Sequence, residues 1–356
     1  MSDVSPPRVL NREAGWYRGD FHVHTSASAD EALYPLSLVT ELARVEGLDF
    51  IAVTDHNTIE GLSQPGVCPD LLVVPGIEIT VAEGDFNVFG VEGWHAWMKD
   101  LSAGRLQGAP PGTYGTTTEL MRRVAAEGLL NSINHPCLPP WEWQDDTTDL
   151  RYVHCVEVWN DPYWPDNVRA NPKAVALWTA WLDGGHRITA IGGSDYHHPP
   201  RPEEGKPGER LGLPSTYVYA KELSATAILE GLRRRRAYVS IGPRVSFQAH
   251  AGGSVYGMGS ALGIQSGEIE LRADIVVDHA KTVRGQIVSS SAVHAVTQIR
   301  DDRTSLQCQA TVTPDPPHWY RLEVRSPEEH LLAITNPIFV GPRREPRLHR
   351  YGDFTP

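Results

Sequence analysis

The sequence predicts an α/β fold, a distorted α/β barrel followed by an antiparallel β segment, and three observations carry that expectation. Short apolar runs alternate with longer helical patterns: FIAVTDH follows LSLVTELARVEG, LLNSINHP follows TTELMRRVAAEG, and RITAIGGSDYHH follows KAVALWTAWLDGG. FIAVT and ITAIGG are apolar at consecutive positions, as expected for parallel strands covered on both faces. After Gly242-Pro243 the pattern changes to alternating segments such as IELRADIVV, HAVTQIR, LQCQATVTP and YRLEVR, with no long helical stretch.

Taken in order, strands are expected near residues 17–23, 49–54, 71–78, 86–91, 129–134, 153–159, 187–193 and 214–219, about the number a barrel needs. The intervening helices stop at Gly47, Gly128, and Gly184 with Gly185, glycine being the usual residue just past a helix end. The RRRR run at 233–236 closes a further helix, where positive charge suits the C-terminal dipole. Segments 102–113 and 199–213, rich in Pro, Gly and charge, read as loops on the active side. The expected division is an N-terminal extension over 1–15, the barrel over 16–243, a β-sandwich-like domain over 244–345 and a tail over 346–356.

With 40% hydrophobic and 21% charged residues, the 356-residue chain has ordinary globular usage. A formal charge of -12 opposes binding to a nucleic acid duplex, which requires cationic neutralisation of phosphates, and favours a small-molecule substrate. No segment reaches the roughly 18 apolar residues of a membrane span, and the first residues lack a signal-peptide core, so a cytoplasmic protein is expected. Cys68, Cys137, Cys155 and Cys308 form no C-x-x-C pair, as suits reduced thiols. Nothing in the sequence sets the oligomeric state.

The chemistry gathers at the strand ends. In GDFHVHTSASAD, His22 and His24 are two apart, so one face of a strand carries both rings, and Asp30 follows six residues later. Asp55 and His56 end the second expected strand, Glu78 the third, His135 follows LLNSIN, and Asp195 with His197 follows ITAIGGS. In a barrel all strand C-termini open on one face. Several carboxylates and imidazoles crowded there would desolvate badly unless cations neutralise them, and divalent metals would do so.

The pieces GDFHVHT, VTDHN, GIEIT, NHP and GGSDYHH together resemble the polymerase and histidinol phosphatase (PHP) superfamily of metal-dependent hydrolases. The resemblance covers roughly residues 16–243 and implies a distorted (β/α)7 barrel. It implies that His22, His24, Glu78 and Asp195 hold one metal, that Glu78 bridges to a second shared with His135, and that Asp30, His56 and His197 hold a third. VEVWN, LGLPSTYVYA, AYVSIGP, WYRLEVR and AITNPIFV look like the carbaryl-hydrolase branch, whose members carry a C-terminal antiparallel β domain. That branch generally has Gly-His before NVFG; here Asp85 stands in the histidine's place, a harder ligand that weakens a Zn site and leans towards Mn or Mg. The expected cofactors are two or three divalent metal ions, Mn, Zn or Fe.

Two metals about 3.5–4 Å apart can activate one water between them, so no side-chain nucleophile is required. The absence of a G-x-S-x-G elbow and of a P-loop agrees with that. Asp55 beside His56 reads as an acid supporting the ligands or acting directly, and His198 as a candidate donor to a leaving group. Arg201, Lys206 and Arg210 could contact phosphate oxygens, so a phosphate monoester or diester is the first substrate reading. The alternative is a carbamate or carboxylic ester whose aromatic part stacks on Trp141, Trp143, Trp159 or Trp164, and a non-catalytic metal-binding scaffold is the remaining class.

Overall fold

Local sequence explains the helices. Helix α1 (Leu36–Val45) buries Leu36, Val39, Thr40 and Ala43, and α2 (Thr117–Ala126) buries Thr117, Leu120, Met121 and Val124. Both sets follow the i, i+3, i+4, i+7 spacing of one helical face. Thr116 caps α2 by accepting from the Glu119 amide, and Gly47 and Gly128, both at positive φ, end α1 and α2 as the sequence predicts. Helices α3 (Asn167–Asp183) and α4 (Ala225–Arg233) complete the four α-helices among the described residues. The computed structural model describes residues 8–28, 32–98, 116–199, 208–264, 266–277, 282–290, 292–299, 302–312, 319–343 and 345–354.

The strands that position the site are β1 (Gly15–Val23), β2 (Phe50–Val53), β3 (Leu72–Val81), β4 (Gly84–Phe89), β5 (Leu130–Ile133), β6 (Cys155–Asn160), β7 (Thr189–Gly193), β8 (Ser215–Ala220) and β9 (Ala237–Ser240). They lie in the order β9-β8-β1-β2-β3-β4-β5-β6-β7. β1, β2 and β3 are parallel neighbours, as are β5, β6 and β7. The chain is thus mixed α/β and rich in strands, with a curled half-barrel sheet. The distorted (β/α)7 barrel expected from the sequence is met only in part: four α-helices are found among the described residues, β3-β4 and β4-β5 are antiparallel, and β8 is antiparallel to β1. Only Ala82 and Glu83 separate β3 from β4, and two residues make a hairpin but cannot make the crossover that parallel strands require.

The sheet curls until its last parallel strand comes back to its first. The His24 amide donates to the Tyr196 carbonyl at 2.9 Å, and Tyr196 returns a bond to the His22 carbonyl at 3.3 Å. Below them the buried Asp20 carboxylate accepts from the amides of His22, Ser194 and Gly212 and from the Ser194 hydroxyl. Phe21 sits edge-on to both Phe50 and Phe89 at centroid distances of 5.1 and 5.3 Å, filling the space inside the curl.

Beyond Gly242 the described residues form strands and no α-helix: β10 (Arg244–Ala251), β11 (Ser254–Gly257), β12 (Gly267–Val276), β13 (Val283–Ser289), β14 (Val293–Ile299), β15 (Arg303–Val312), β16 (Trp319–Arg325), β17 (Leu331–Thr335) and β18 (Ile338–Val340). β11, β10, β12 and β15 make a separate four-stranded sheet. β17 instead pairs antiparallel with β9, so the main sheet runs on into the late strands. A buried ion pair between Arg321 and Glu323, with Arg321 also donating to Thr179 at 2.9 Å, ties β16 to α3. No helix among the described residues is long and apolar enough to cross a membrane.

One histidine away from the site should make the fold acid-sensitive. His154 Nδ1 accepts from the Asn131 amide at 3.3 Å, while Asn131 Oδ1 accepts from the His154 amide at 3.0 Å. Burial first, and Arg233 second, push its pKa down to about 4. A neutral imidazole is therefore required, and since the unfolded chain protonates near 6.5, stability should fall as pH drops from about 6.5 to 4. Melting temperature measured across that window should decline more steeply in the native chain than in His154→Gln; equal slopes would assign the acid sensitivity elsewhere.

Candidate metal centre

His22 and His24 occupy the end of β1 and the residue just past it, on one face, and both are buried. His56, three residues past β2, meets Glu78, inside β3, through an isolated bridge. Asp85 lies on β4, while His135 and Asp195 follow β5 and β7. The last two have backbone φ of +26° and +54°, outside the region that side-chain-bearing residues favour. Such conformations cost on the order of 1–3 kcal/mol each and survive only where surrounding bonds impose them. At His135 the imposing bond runs from its own amide to Glu157 Oε2, at 2.9 Å.

The side chains converge closely. His22 Nε2 lies 3.1 Å from both Glu78 Oε1 and Asp195 Oδ1, and His24 Nε2 lies 3.3 Å from Glu78 Oε2 and 3.2 Å from Asp195 Oδ1. His56 Nδ1 is 3.1 Å from Glu78 Oε2, and His197 Nδ1 is 3.7 Å from Asp195 Oδ1. His135 Nε2 stands 3.8 Å from both Glu78 Oε1 and Asp85 Oδ2. His24 stacks between His197 and His56 at centroid distances of 4.2 and 4.5 Å.

Three overlapping sets, His22/His24/Asp195, His22/Glu78/His135 and His24/His56/His197, each bring ligand atoms within 4.8 Å of one another. Imidazole with carboxylate suits Zn, Mn or Fe. Two observations test the fit. His22 Nε2 and Glu78 Oε2 are buried without an aligned hydrogen-bond partner, although opposite atoms approach to 3.1 Å, so their lone pairs are aimed as metal ligands would be. The protonation pattern also shows a cluster short of cations. Burial disfavours the charged form of His22, yet Asp195, Glu78 and Glu157 outweigh it and hold its pKa well above normal. His135 likewise overcomes burial and rises to about 9 through Glu78, Asp195 and Asp85. His24, buried and facing His197 and His56, falls to about 3. The residues fit divalent ions, whose uptake would release the protons on His22 and His135.

The other candidates named from the sequence part company here. Asp85 joins the mouth; burial, then Glu78, raise its carboxyl to about 6. Asp30, Arg201 and Lys206 lie outside the described residues. The Asp55 carboxylate lies under the turn after β1 and accepts from the Thr25 amide and hydroxyl at 2.6 and 2.8 Å, as an acid supporting the ligands would. His198 and Arg210 do not line the cavity; His198 is buried with Nδ1 3.0 Å from the Pro199 carbonyl, and Arg210 is exposed. Of the four tryptophans, Trp141 and Trp164 line the cavity, whereas Trp143 and Trp159 pack in the core. Burial pushes the Cys137 thiol up to about 11 and Cys155 to about 12, which leaves both unreactive.

Sequence reasoning passed over the supporting residues. Glu157, buried on β6, accepts His22 Nδ1 on one oxygen at 3.1 Å and, on the other, the His135 amide at 2.9 Å and Asn160 Nδ2 at 3.1 Å. Asn160 Nδ2 also reaches Asp195 Oδ2 at 3.4 Å, and Asn134 Nδ2 donates to Glu78 Oε1 at 2.7 Å. A lone Glu inside the apolar run CVEVWN was the available signal, since charged residues are seldom buried without a partner.

The centre opens into a cavity of about 740 Å³. No protein-family model matches the chain, and no curated protein matches it. Among solved structures, an amidohydrolase from Chromobacterium violaceum with bound sulfate and no metal is similar at a TM-score of 0.36 and 16% identity, over 53% of this chain and 89% of that one. An engineered protein is similar at a TM-score of 0.21 and 11% identity, over 91% of this chain and 94% of its own. At such scores neither likeness bears on fold or chemistry.

Proposed function

We propose that this chain is a metal-dependent hydrolase of the PHP type acting on a small phosphoester. The observation that carries the reading is the convergence of His22, His24, His56, Glu78, Asp85, His135, Asp195 and His197, of which His56, Asp85, His135, Asp195 and His197 line one cavity. Divalent ions held there supply Lewis acidity and lower the pKa of water towards neutrality. The protein's part is positioning. Glu157 fixes the His22 ring through Nδ1 and leaves Nε2 to face the centre, Asn134 holds Glu78, and Asn160 links Glu157 with Asp195. Bonds of this kind orient ligands and raise their basicity.

A diester suits the cavity better than a monoester, because no Lys or Arg lines it among the described residues and a dianion would have only the metals to neutralise it. A second reading, carbamate or carboxylic ester hydrolysis, is supported by the aromatic pair Trp141 and Trp164, with ring centroids 5.8 Å apart. Metal analysis of the purified protein, combined with turnover of p-nitrophenyl phosphate, bis-p-nitrophenyl phosphate and an aryl carbamate with and without manganese, tests all of this. Two or three metals per chain and diester turnover are expected. Carbamate turnover alone would establish the second reading, metal without any turnover would leave a scaffold, and no metal uptake would end the proposal.

A further inference from the structure

We propose that the cavity binds a cationic group of the substrate, an ammonium seated among Trp141, Trp164 and the Glu142 carboxylate. This inference rests on the hydrolase reading for its substrate but not for its binding chemistry.

Trp141 and Trp164 are 38% and 37% exposed, at an edge-to-face angle of 70°, and both line the cavity that holds the ligand cluster. Of the aromatic side chains, an accessible indole attracts a cation most strongly. Beside them Glu142 also lines the cavity, and its Oε2 is buried with no hydrogen-bond partner. A buried carboxylate oxygen without a donor is costly, and a ligand that supplies positive charge relieves that cost.

The surrounding potential points the same way. Glu209 and Asp161 line the same cavity, and neither belongs to the proposed metal ligands. At this end of the cavity a neutral aromatic group would use the tryptophans yet leave Glu142 unpaired, and an anionic group would meet Glu142 and Glu209 directly, so the phosphoester itself belongs at the metal end. A cation meets both requirements.

The test titrates manganese-loaded protein with choline and with 3,3-dimethylbutan-1-ol, its uncharged isostere, by calorimetry and tryptophan fluorescence. Choline should bind at least about tenfold more tightly. Glu142→Gln and Trp164→Leu should each weaken choline binding about fivefold or more, with Glu142→Gln leaving the isostere unaffected. Unchanged metal content shows that a variant has folded, and if Trp164→Leu fails that check, Glu142→Gln decides. Equal affinity for the two probes, or a choline preference that survives the substitutions, overturns the proposal. Choline selectivity without turnover of any ester would end the hydrolase reading alone, whereas ester turnover without selectivity would end this inference alone.

Discussion

His22→Ala and Asp195→Ala should each lower metal-dependent turnover by at least about a thousandfold and reduce the metal bound per chain. The expectation follows from where the two groups stand: His22 Nε2 and Asp195 Oδ1 are 3.1 Å apart, and each lies within reach of a second and third ligand. Removing His22 takes a ligand from two of the three sets, and removing Asp195 takes one of the two carboxylates that His22 and His24 share. The metal-free fold should survive, because Asp20 holds β1 to the turn after β7 through backbone and Ser194 bonds that neither substitution touches. Circular dichroism and melting of the metal-free variants check the fold, and elemental analysis checks the site. Full turnover in either variant with its metal depleted would refute the ligand assignment.

Glu157→Gln should weaken metal binding about 10–100-fold while leaving the ligands themselves in place. The carboxylate accepts from the ring of one ligand and the backbone of another, and His135, at φ +26°, depends on that backbone bond. An amide keeps the shape but loses the charge, and its NH2 group meets donors where an acceptor is needed. The readout separating positioning from simple destabilisation is the His22 ring: nitrogen NMR should show its Nδ1-protonated form depleted in Glu157→Gln. Metal affinity within twofold of the native chain would leave Glu157 as a structural acid only.

Much of this centre was legible in the sequence, for a local reason. A strand's period of two decides that His22 and His24 share a face whatever surrounds them, and the apolar runs FIAVT and ITAIGG announce strand ends at which His56 and Asp195 must emerge. Helix spacing likewise settled α1 and α2, down to their terminal glycines. Asp55 shows where local reading stops. Adjacency to His56 left its role open between supporting the ligands and acting directly, and only the fold shows that the Asp55 carboxylate accepts from Thr25.

Residue order was enough for the chemical type of the centre, imidazoles and carboxylates at successive strand ends, and for the alternation of strands and helices around it. Everything else waited on long-range partners. Which strand runs antiparallel, that Glu157 holds two ligands, that Asp85 reaches His135, that Trp141 and Trp164 line the cavity while Trp143 and Trp159 fill the core, and that the late strands extend the main sheet all depend on contacts distant in sequence. Periodicity fixes the direction of a side chain relative to its own strand, but the curl of the sheet fixes what that side chain meets.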